Sequence, residues 1–303
     1  MINYNNFEAT KNCINSILDS YNEKVNIYVV DNNSKDGSVE KLKRTFTNVQ
    51  IIQNQENLGY AYAVNKGFNS SKSSIVIISN NDVIYLKDSI KNLIEPFYNI
   101  ENIGVIGPQQ IYPDGKWEYS YGTFPGIKTA IRDVFFVNFL SHFIKKLKWK
   151  LKISSKEIRE VEYIDGAVMA INREAYNEVN GFDEDYFFYT EEADFCYRLK
   201  LKGWKIIFNP KSELIHERGG STAKMGLNPQ NVEMFINSKV RFCNKHLKKI
   251  ERYFFILLEK FHHNILVNLF KILDSVFKGK IKFFSDKKLI FGNLFEGWKN
   301  VGK

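Results

Sequence analysis

Hydrophobic and polar positions change period several times along the chain, and the changes mark its elements. "VNIYVVD" (25–31), "VQIIQ" (49–53) and "SIVIIS" (74–79) are short apolar runs rich in β-branched residues. Runs of this length, closed by polar residues, predict buried strands. Helical stretches lie between them, around 36–45 and 59–71, and another follows around 86–99. Strands alternating with helices at this interval predict an α/β domain with a parallel sheet. Ligands bind such sheets beyond the carboxyl ends of the strands. The pattern places Asp31, Asn54 to Asn57, and Asn80 to Asp82 there.

The rhythm is lost over 110–160, which holds "YPDG", "TFPG" and the run "IRDVFFVNFLSHFIKKLKWKLK". It returns at "VEYIDGAVMAI" (161–171), which reads as a strand. "REAYNEVNGF" (173–182) reads as a short helix stopped by Gly181, and "ADFCYRLKLKG" (193–203) as a helix ending near Gly203. "WKIIFNP" and "SELIHE" read as two strands. From about 229 onward the pattern is helical, with no internal repeat.

Charge changes the picture at the C-terminal end. Of the net charge of +9, all lies in residues 241–303, which hold 14 Lys/Arg and 5 Asp/Glu; residues 128–156 hold eight basic residues and one acid. Such patches meet nucleic acid, anionic lipid or an acidic substrate. No nucleic-acid-binding module is recognisable, so no nucleic-acid partner is expected. In the tail, Phe254, Leu257, Leu258, Phe261, Ile265 and Leu269 recur at helical spacing. That stripe suits either a membrane surface or helices packing on the preceding domain. No apolar run approaches the ~20 residues that span a bilayer, and the polar start "MINYNNFEAT" is unlike a signal peptide. Cys13, Cys196 and Cys243 are odd in number and far apart. They fit a reducing cytosol better than a disulfide framework or a zinc cluster.

Candidate chemistry concentrates in "FFYTEEADFCYR" (187–198), which sets Glu191, Glu192 and Asp194 within four positions after an aromatic run. Mutual repulsion and an apolar setting raise a carboxyl pKa toward the range of a working base; a solvated helix face would carry the same residues with no function. Asp31, ending a strand, is either a cap or an acceptor for a base or ribose. Asp82 in "SNNDV" is either a cap or a ligand for a hard divalent cation. His216 becomes a candidate ligand only where the fold brings it to Asp82. There is neither a G-x-G-x-x-G after a strand nor a P-loop.

In order along the chain, "NYNN", "VVDNNSKDGS", "NQENLGYAYAVNKGF", "ISNNDV", "IDGAVMAINREAYNEVNGFDEDYFFYTEEADFCYRLKLKGW" and "LIHERGGS" resemble an inverting family-2 glycosyltransferase, in particular its rhamnosyltransferase-like branch. The resemblance covers roughly residues 1–245. It implies a GT-A fold: an α/β domain over 1–240, with a nucleotide-binding half at about 1–110 and an acceptor half at about 111–240. A basic, aromatic, helical extension follows over 241–303.

By position, the resemblance implies nucleotide contacts at Asn3, Tyr4, Asn5, Asp31, Asn57, Gly59 and Asn81. It implies a Mn²⁺ or Mg²⁺ site at Asp82 and His216, with Asn80 standing where the family has the first acid of its metal motif. Asp165 and Gly166 would meet the acceptor. Glu192 aligns with the base, although Glu-Glu replaces the usual Glu-Asp. Glu191 would lie beside a sugar, and Asp194 would cap its helix or pair with Arg198 four residues on. The implied donor is dTDP-rhamnose or a UDP-sugar. The implied acceptor is a cell-surface glycan, lipid-linked in one form, met at the inner face of the cell membrane. A non-catalytic sugar-nucleotide or glycan-binding protein of the same fold is the alternative. The family carries a longer apolar strand before its "YN", where this chain has Met1 and Ile2; the expectation is a short first strand, with the natural start upstream.

Overall fold

The computed structural model describes residues 1–118, 120–137, 144, 157–217 and 228–301. They fall into two compact units, Met1–Thr123 with Lys152–Glu217, and Phe124–Leu151 with Arg218–Lys303.

The first unit is built on strands. β1 (Ile2–Asn3), β2 (Ile27–Asp31) and β3 (Val49–Gln53) form a parallel sheet in the order β1-β2-β3. A second sheet holds β4 (Ile75–Ser79), β5 (Val83–Tyr85), β6 (Ile103–Ile111), β10 (Val168–Asn172) and β11 (Lys205–His216), in the order β4-β10-β6-β11-β5, with β8 (Arg159–Glu160) paired to β11. A bridge from Ile2 to Asn80 joins the two sheets. β7 (Tyr121–Gly122) and β9 (Tyr163–Ile164) pair antiparallel.

The apolar runs account for the core. Val29 and Val30 of β2 are fully buried. Val29 packs with Ile14 of the helix Phe7–Ser20 and Leu42 of the helix Ser38–Thr45. Each such side chain contributes roughly 2 kcal/mol of burial. The helix Phe7–Ser20 starts where the Asn6 side chain accepts from Ala9 N at 3.2 Å, an N-cap.

Several expectations need correction. The first sheet is parallel, but the second is mixed: β6 and β11 run parallel, whereas β10 runs antiparallel to both β4 and β6, and β5 antiparallel to β11. Residues 103–111, where the apolar pattern predicts no strand, form β6, paired with both β10 and β11. The strand expected over 161–171 divides into β9 and β10, because Asp165 to Ala167 leave the ladder. The two strands expected over 204–217 are one, β11, with a register irregularity between Asn209 and Glu213. The helix around 86–99 is shorter, Ser89–Ile94, and continues as a 3₁₀ turn, Glu95–Tyr98, in which Pro96 has no N–H to continue the α-helical ladder. β1 is two residues long. Beside the start of β2 and the whole of β4 lies a cavity of about 310 Å³, lined among others by Met1, Tyr28, Val64, Phe68 and Ile77.

The second unit is helical over its described residues: Ile127–Val134, Pro229–His246, Lys249–Val276 and Lys282–Asn300. Asn228 caps the second of these through Gln230 N, with Pro229 at the first helical position. Trp298, Phe255 and Phe242 are fully buried, and Trp298 meets the Phe255 ring edge-on. The helix Lys249–Val276 has an unusual division of faces. Glu259 and His263 are buried, whereas Ile250, Tyr253, Phe254, Leu257, Phe261 and Leu269 are all more than 40% exposed. Leu258 and Ile265 are half-buried. The basic run 145–152 lies outside the described residues.

Candidate functional site

Asp31, at the carboxyl end of β2, is fully buried. Its Oδ2 accepts from Asn3 Nδ2 at 2.7 Å and Ser34 Oγ at 2.6 Å, and its Oδ1 accepts from Ser34 N at 2.9 Å. This closes an Asx-type turn at the strand end. The following helix starts separately, from Gly37. Asn3 is also buried, and its Oδ1 accepts from Thr10 Oγ1 at 2.7 Å and Asn81 Nδ2 at 3.2 Å. One carboxamide thus joins β1, β2, the first helix and the loop after β4. Tyr4 is exposed. Asn5 has a left-handed backbone (φ 49°), and its Oδ1 accepts from Lys35 N at 2.7 Å.

Asn57 Oδ1 accepts from Gly59 N at 3.1 Å. Gly59 has φ +93°, and a Cβ there would lie 2.5 Å from the Phe187 carbonyl oxygen. Tyr60 N donates to that carbonyl at 2.7 Å. Only glycine lets the helix Tyr60–Ser70 approach the aromatic run so closely, and that run leads directly into Glu191.

Asn80, Asn81 and Asp82 follow β4 as the pattern requires. His216 ends β11 opposite Val83, so the residue before Val83 comes beside the imidazole. Asp82 Oδ1 lies 3.3 Å from His216 Nε2. Nδ1 faces Gln110 Oε1 at 2.9 Å and Glu118 Oε2 at 3.3 Å. Among the described residues, no group of three His, Cys, Asp or Glu side chains forms a metal-holding set. A carboxylate oxygen and an imidazole nitrogen 3.3 Å apart nevertheless fit a hard divalent cation that takes most of its oxygens from a ligand. Asn80 is held by its backbone, with N donating to Ala167 O at 2.8 Å.

The three clustered carboxylates open the helix Glu191–Leu201, where the helix N-terminus favours negative charge. They have different surroundings. Asp194 is fully buried and accepts from Arg198 Nε at 2.7 Å, the i,i+4 pair that its spacing offers. Arg198 also donates to the carbonyls of Val179 and Gly181, at 2.6 and 2.8 Å. Glu191 is 3% exposed, and its Oε2 has no hydrogen-bond partner among the described residues. Burial, reinforced by the charge of Asp165, pushes its carboxyl up to about 8. Glu192 is only half-buried, and its side chain passes 3.7 Å from where a Gly166 Cβ would stand. Burial, then Glu191, then Asp165 raise its carboxyl well above the ordinary range. The two glutamates titrate as a pair.

Asp165 Oδ1 accepts from Gln110 Nε2 and from Ala167 N, both at 3.1 Å. The Gly166 carbonyl accepts from Tyr60 Oη at 2.7 Å. Burial and the charges of Glu191, Glu192 and Asp165 keep that phenol protonated. Asp82, His216, Gln110 and Asp165 therefore form one connected line, ending beside the glutamate pair. Asn3, Asp31 and Asn81 form a separate hydrogen-bonded group, and Tyr4 and Asn57 stand outside both. Sequence reasoning missed Gln110 and Glu118. The available signal was the polar pair Gln109–Gln110 at the end of an apolar stretch, followed by the "YPDG" turn.

Comparison with known proteins bears on the family and the fold. The family model described as glycosyl transferase family 2 matches residues 1–179, and one described as glycosyl transferase family group 2 matches residues 115–296. An N-acetylglucosaminyl-diphospho-decaprenol L-rhamnosyltransferase of Mycobacterium tuberculosis is 28% identical over 216 residues, covering 66% of this chain and 69% of that one. The low-salt glycan biosynthesis hexosyltransferase Agl10 of Haloferax volcanii is 22% identical, covering 100% of this chain and 91% of its own length. A mannosyltransferase from Pyrobaculum calidifontis, solved with GDP-Man and Mn²⁺, superposes with a TM-score of 0.60 at 15% identity, over 98% of this chain and 84% of that one.

Proposed function

The chain belongs to glycosyl transferase family 2, and from that premise we propose that it moves a sugar, with inversion, from a nucleoside diphosphate donor to a hydroxyl of a lipid-linked glycan. It is a glycosyltransferase of the GT-A fold, rhamnosyltransferase-like. The reading assigns the nucleotide to residues within 1–110 and the acceptor to 111–240. The named activity of the mycobacterial relative supports rhamnose as the sugar moved; the donor in this reading is dTDP-rhamnose, with a UDP-sugar as the alternative.

The reaction is a single displacement. The acceptor oxygen forms a bond to the anomeric carbon as the bond to the diphosphate breaks, and the acceptor proton goes to a carboxylate. Glu192 takes that proton in this reading. The observation that carries it is the difference among the three acids: Asp194 is tied to Arg198, Glu191 is buried, and Glu192 alone of the three is half-open. Its raised pKa makes it a stronger base than an ordinary carboxylate. Asp165 and Gly166 line the approach of the hydroxyl. Asp82 and His216 would hold Mn²⁺ or Mg²⁺, with Asn80 beside them. When bound, the cation supplies charge stabilisation for the leaving diphosphate.

The exposed stripe on Lys249–Val276 supports a peripheral location at the inner face of the cell membrane. Ile250, Tyr253, Phe254, Leu257 and Phe261 share one face, and Lys249 and Lys260 flank it along the helix. Basic residues near an anionic surface contribute about 1 kcal/mol each. No described helix is long and apolar enough to cross a membrane.

The test is an assay of nucleoside diphosphate release from dTDP-rhamnose, UDP-sugars and GDP-mannose, with Mn²⁺ and a lipid-linked N-acetylglucosaminyl diphosphate acceptor. Acceptor-dependent release from one donor supports the reading. Donor binding with neither transfer nor hydrolysis would replace it with a sugar-nucleotide-binding protein.

A further inference from the structure

Two residues with no assigned role surround the far side of His216. Gln110 is fully buried near the end of β6, and Glu118 is 7% exposed. The backbone brings them together: a turn closes with Gly115 N donating to Tyr112 O at 2.8 Å, and Glu118 N donates to Gln110 O at 2.9 Å. Both side chains then reach the same ring nitrogen, Nδ1 of His216, at 2.9 Å from Gln110 Oε1 and 3.3 Å from Glu118 Oε2.

Gln110 has little freedom to present its amide nitrogen instead. Its Nε2 donates to Asp165 Oδ1 at 3.1 Å, and a carboxylate accepts only. Nδ1 therefore faces two acceptor oxygens, and the proton belongs on Nδ1. A neutral imidazole carries one N–H, so the Nε2 lone pair is left on the side of Asp82 Oδ1, 3.3 Å away. A lone pair and a carboxylate oxygen facing each other suit a cation between them. Ligating histidines are ordinarily oriented through their other nitrogen in this way.

We propose that Gln110 and Glu118 are positioning residues: together they hold His216 in the Nδ1–H tautomer with Nε2 turned to Asp82. Gln110 does more. Through Asp165 its amide ties the cation side of the site to the side bearing Glu191 and Glu192. This rests on the reading of Asp82 and His216 as cation ligands, and the test separates the two.

The first measurement needs neither donor nor metal. In metal-free full-length protein with ¹⁵N-labelled histidine at mildly alkaline pH, two-bond ¹H–¹⁵N correlations report the tautomer of each ring, with His216→Gln giving the assignment. An Nδ1–H pattern for His216 is expected; an Nε2–H pattern would overturn the positioning role whatever the metal does. The second measurement is Mn²⁺ affinity in the presence of UDP, from the electron paramagnetic resonance signal of free Mn²⁺. The double variant Gln110→Met/Glu118→Met should bind about 10–100-fold more weakly, the usual loss on removing such partners. Glu118→Gln, which keeps an acceptor oxygen at the same reach, should hold affinity near wild type. Unchanged affinity in a double variant with the wild-type circular dichroism spectrum would overturn the proposal. If the double variant does not fold, the wild-type tautomer and Glu118→Gln decide, and a large affinity loss in Glu118→Gln counts against it. No Mn²⁺ binding by wild type would overturn the cation reading, and with it the purpose assigned to the pair.

Discussion

Asp82 Oδ1 and His216 Nε2 lie 3.3 Å apart because His216 pairs with Val83 across β5 and β11. The strand register, rather than a flexible loop, brings the two together. A site built this way is held before any ligand arrives, by backbone pairing that neither side chain supplies.

Asp82→Ala and His216→Ala should each weaken Mn²⁺-dependent binding of a nucleoside diphosphate while leaving the melting temperature within a few degrees of wild type. Calorimetric titration with and without Mn²⁺ checks this. Equal wild-type affinity in the two conditions would count against the cation site.

Glu192→Gln should retain donor binding and lose about 10²–10⁴-fold in transfer rate, the usual worth of a general base. Asp194→Ala should behave differently. It strands Arg198 beside a buried position, so it should lower stability by about 3 kcal/mol. Denaturant unfolding of the two variants separates a catalytic loss from a structural one. Abolished transfer in a well-folded Glu191→Gln variant, with activity kept in Glu192→Gln, would move the base to Glu191.

The raised carboxyl of Glu191 has a stability consequence with a definite sign. Burial pushes it up to about 8 in the folded chain, from the ordinary glutamate range near 4.5, so the folded state binds more protons than the unfolded state between those values. The contribution is fully present below about 4.5 and is lost as pH rises through about 8. Wild-type melting temperature should therefore fall more steeply from mildly acidic to mildly alkaline pH than that of Glu191→Gln. Parallel curves for the two proteins would show that Glu191 titrates normally.

Substituting Phe254, Leu257 and Phe261 together by serine should abolish sedimentation with anionic vesicles at low salt without lowering the melting temperature, because all three are about half-exposed. Neutral vesicles provide the control. Failure of the wild type to sediment with anionic vesicles would assign the stripe to some other contact.

The amino-acid sequence by itself determined β2, β3 and β4, because each is a short apolar run flanked by amphipathic helices. It also placed Asp31, Asp82 and the carboxylate cluster at element ends, where chemistry is carried. It did not reveal β6: Gly104, Gly107 and Pro108 interrupt the apolar pattern there, and the strand is supported by β10 and β11, which come far later in the chain. The polar pair Gln109–Gln110 before the "YPDG" turn marked the place but not the role of Gln110 and Glu118, since their significance comes from a ring more than ninety residues away along the sequence, at the end of β11. Local spacing offered Asp194 a partner in Arg198. Only packing decided that Glu191 is buried and Glu192 half-open, because burial depends on what the rest of the fold lays over a helix terminus. In the tail, helical spacing defined an apolar stripe but not its orientation. The tertiary structure turned Glu259 and His263 inward and left Phe254 and Phe261 facing solvent, since periodicity specifies which residues share a face and says nothing of what covers it.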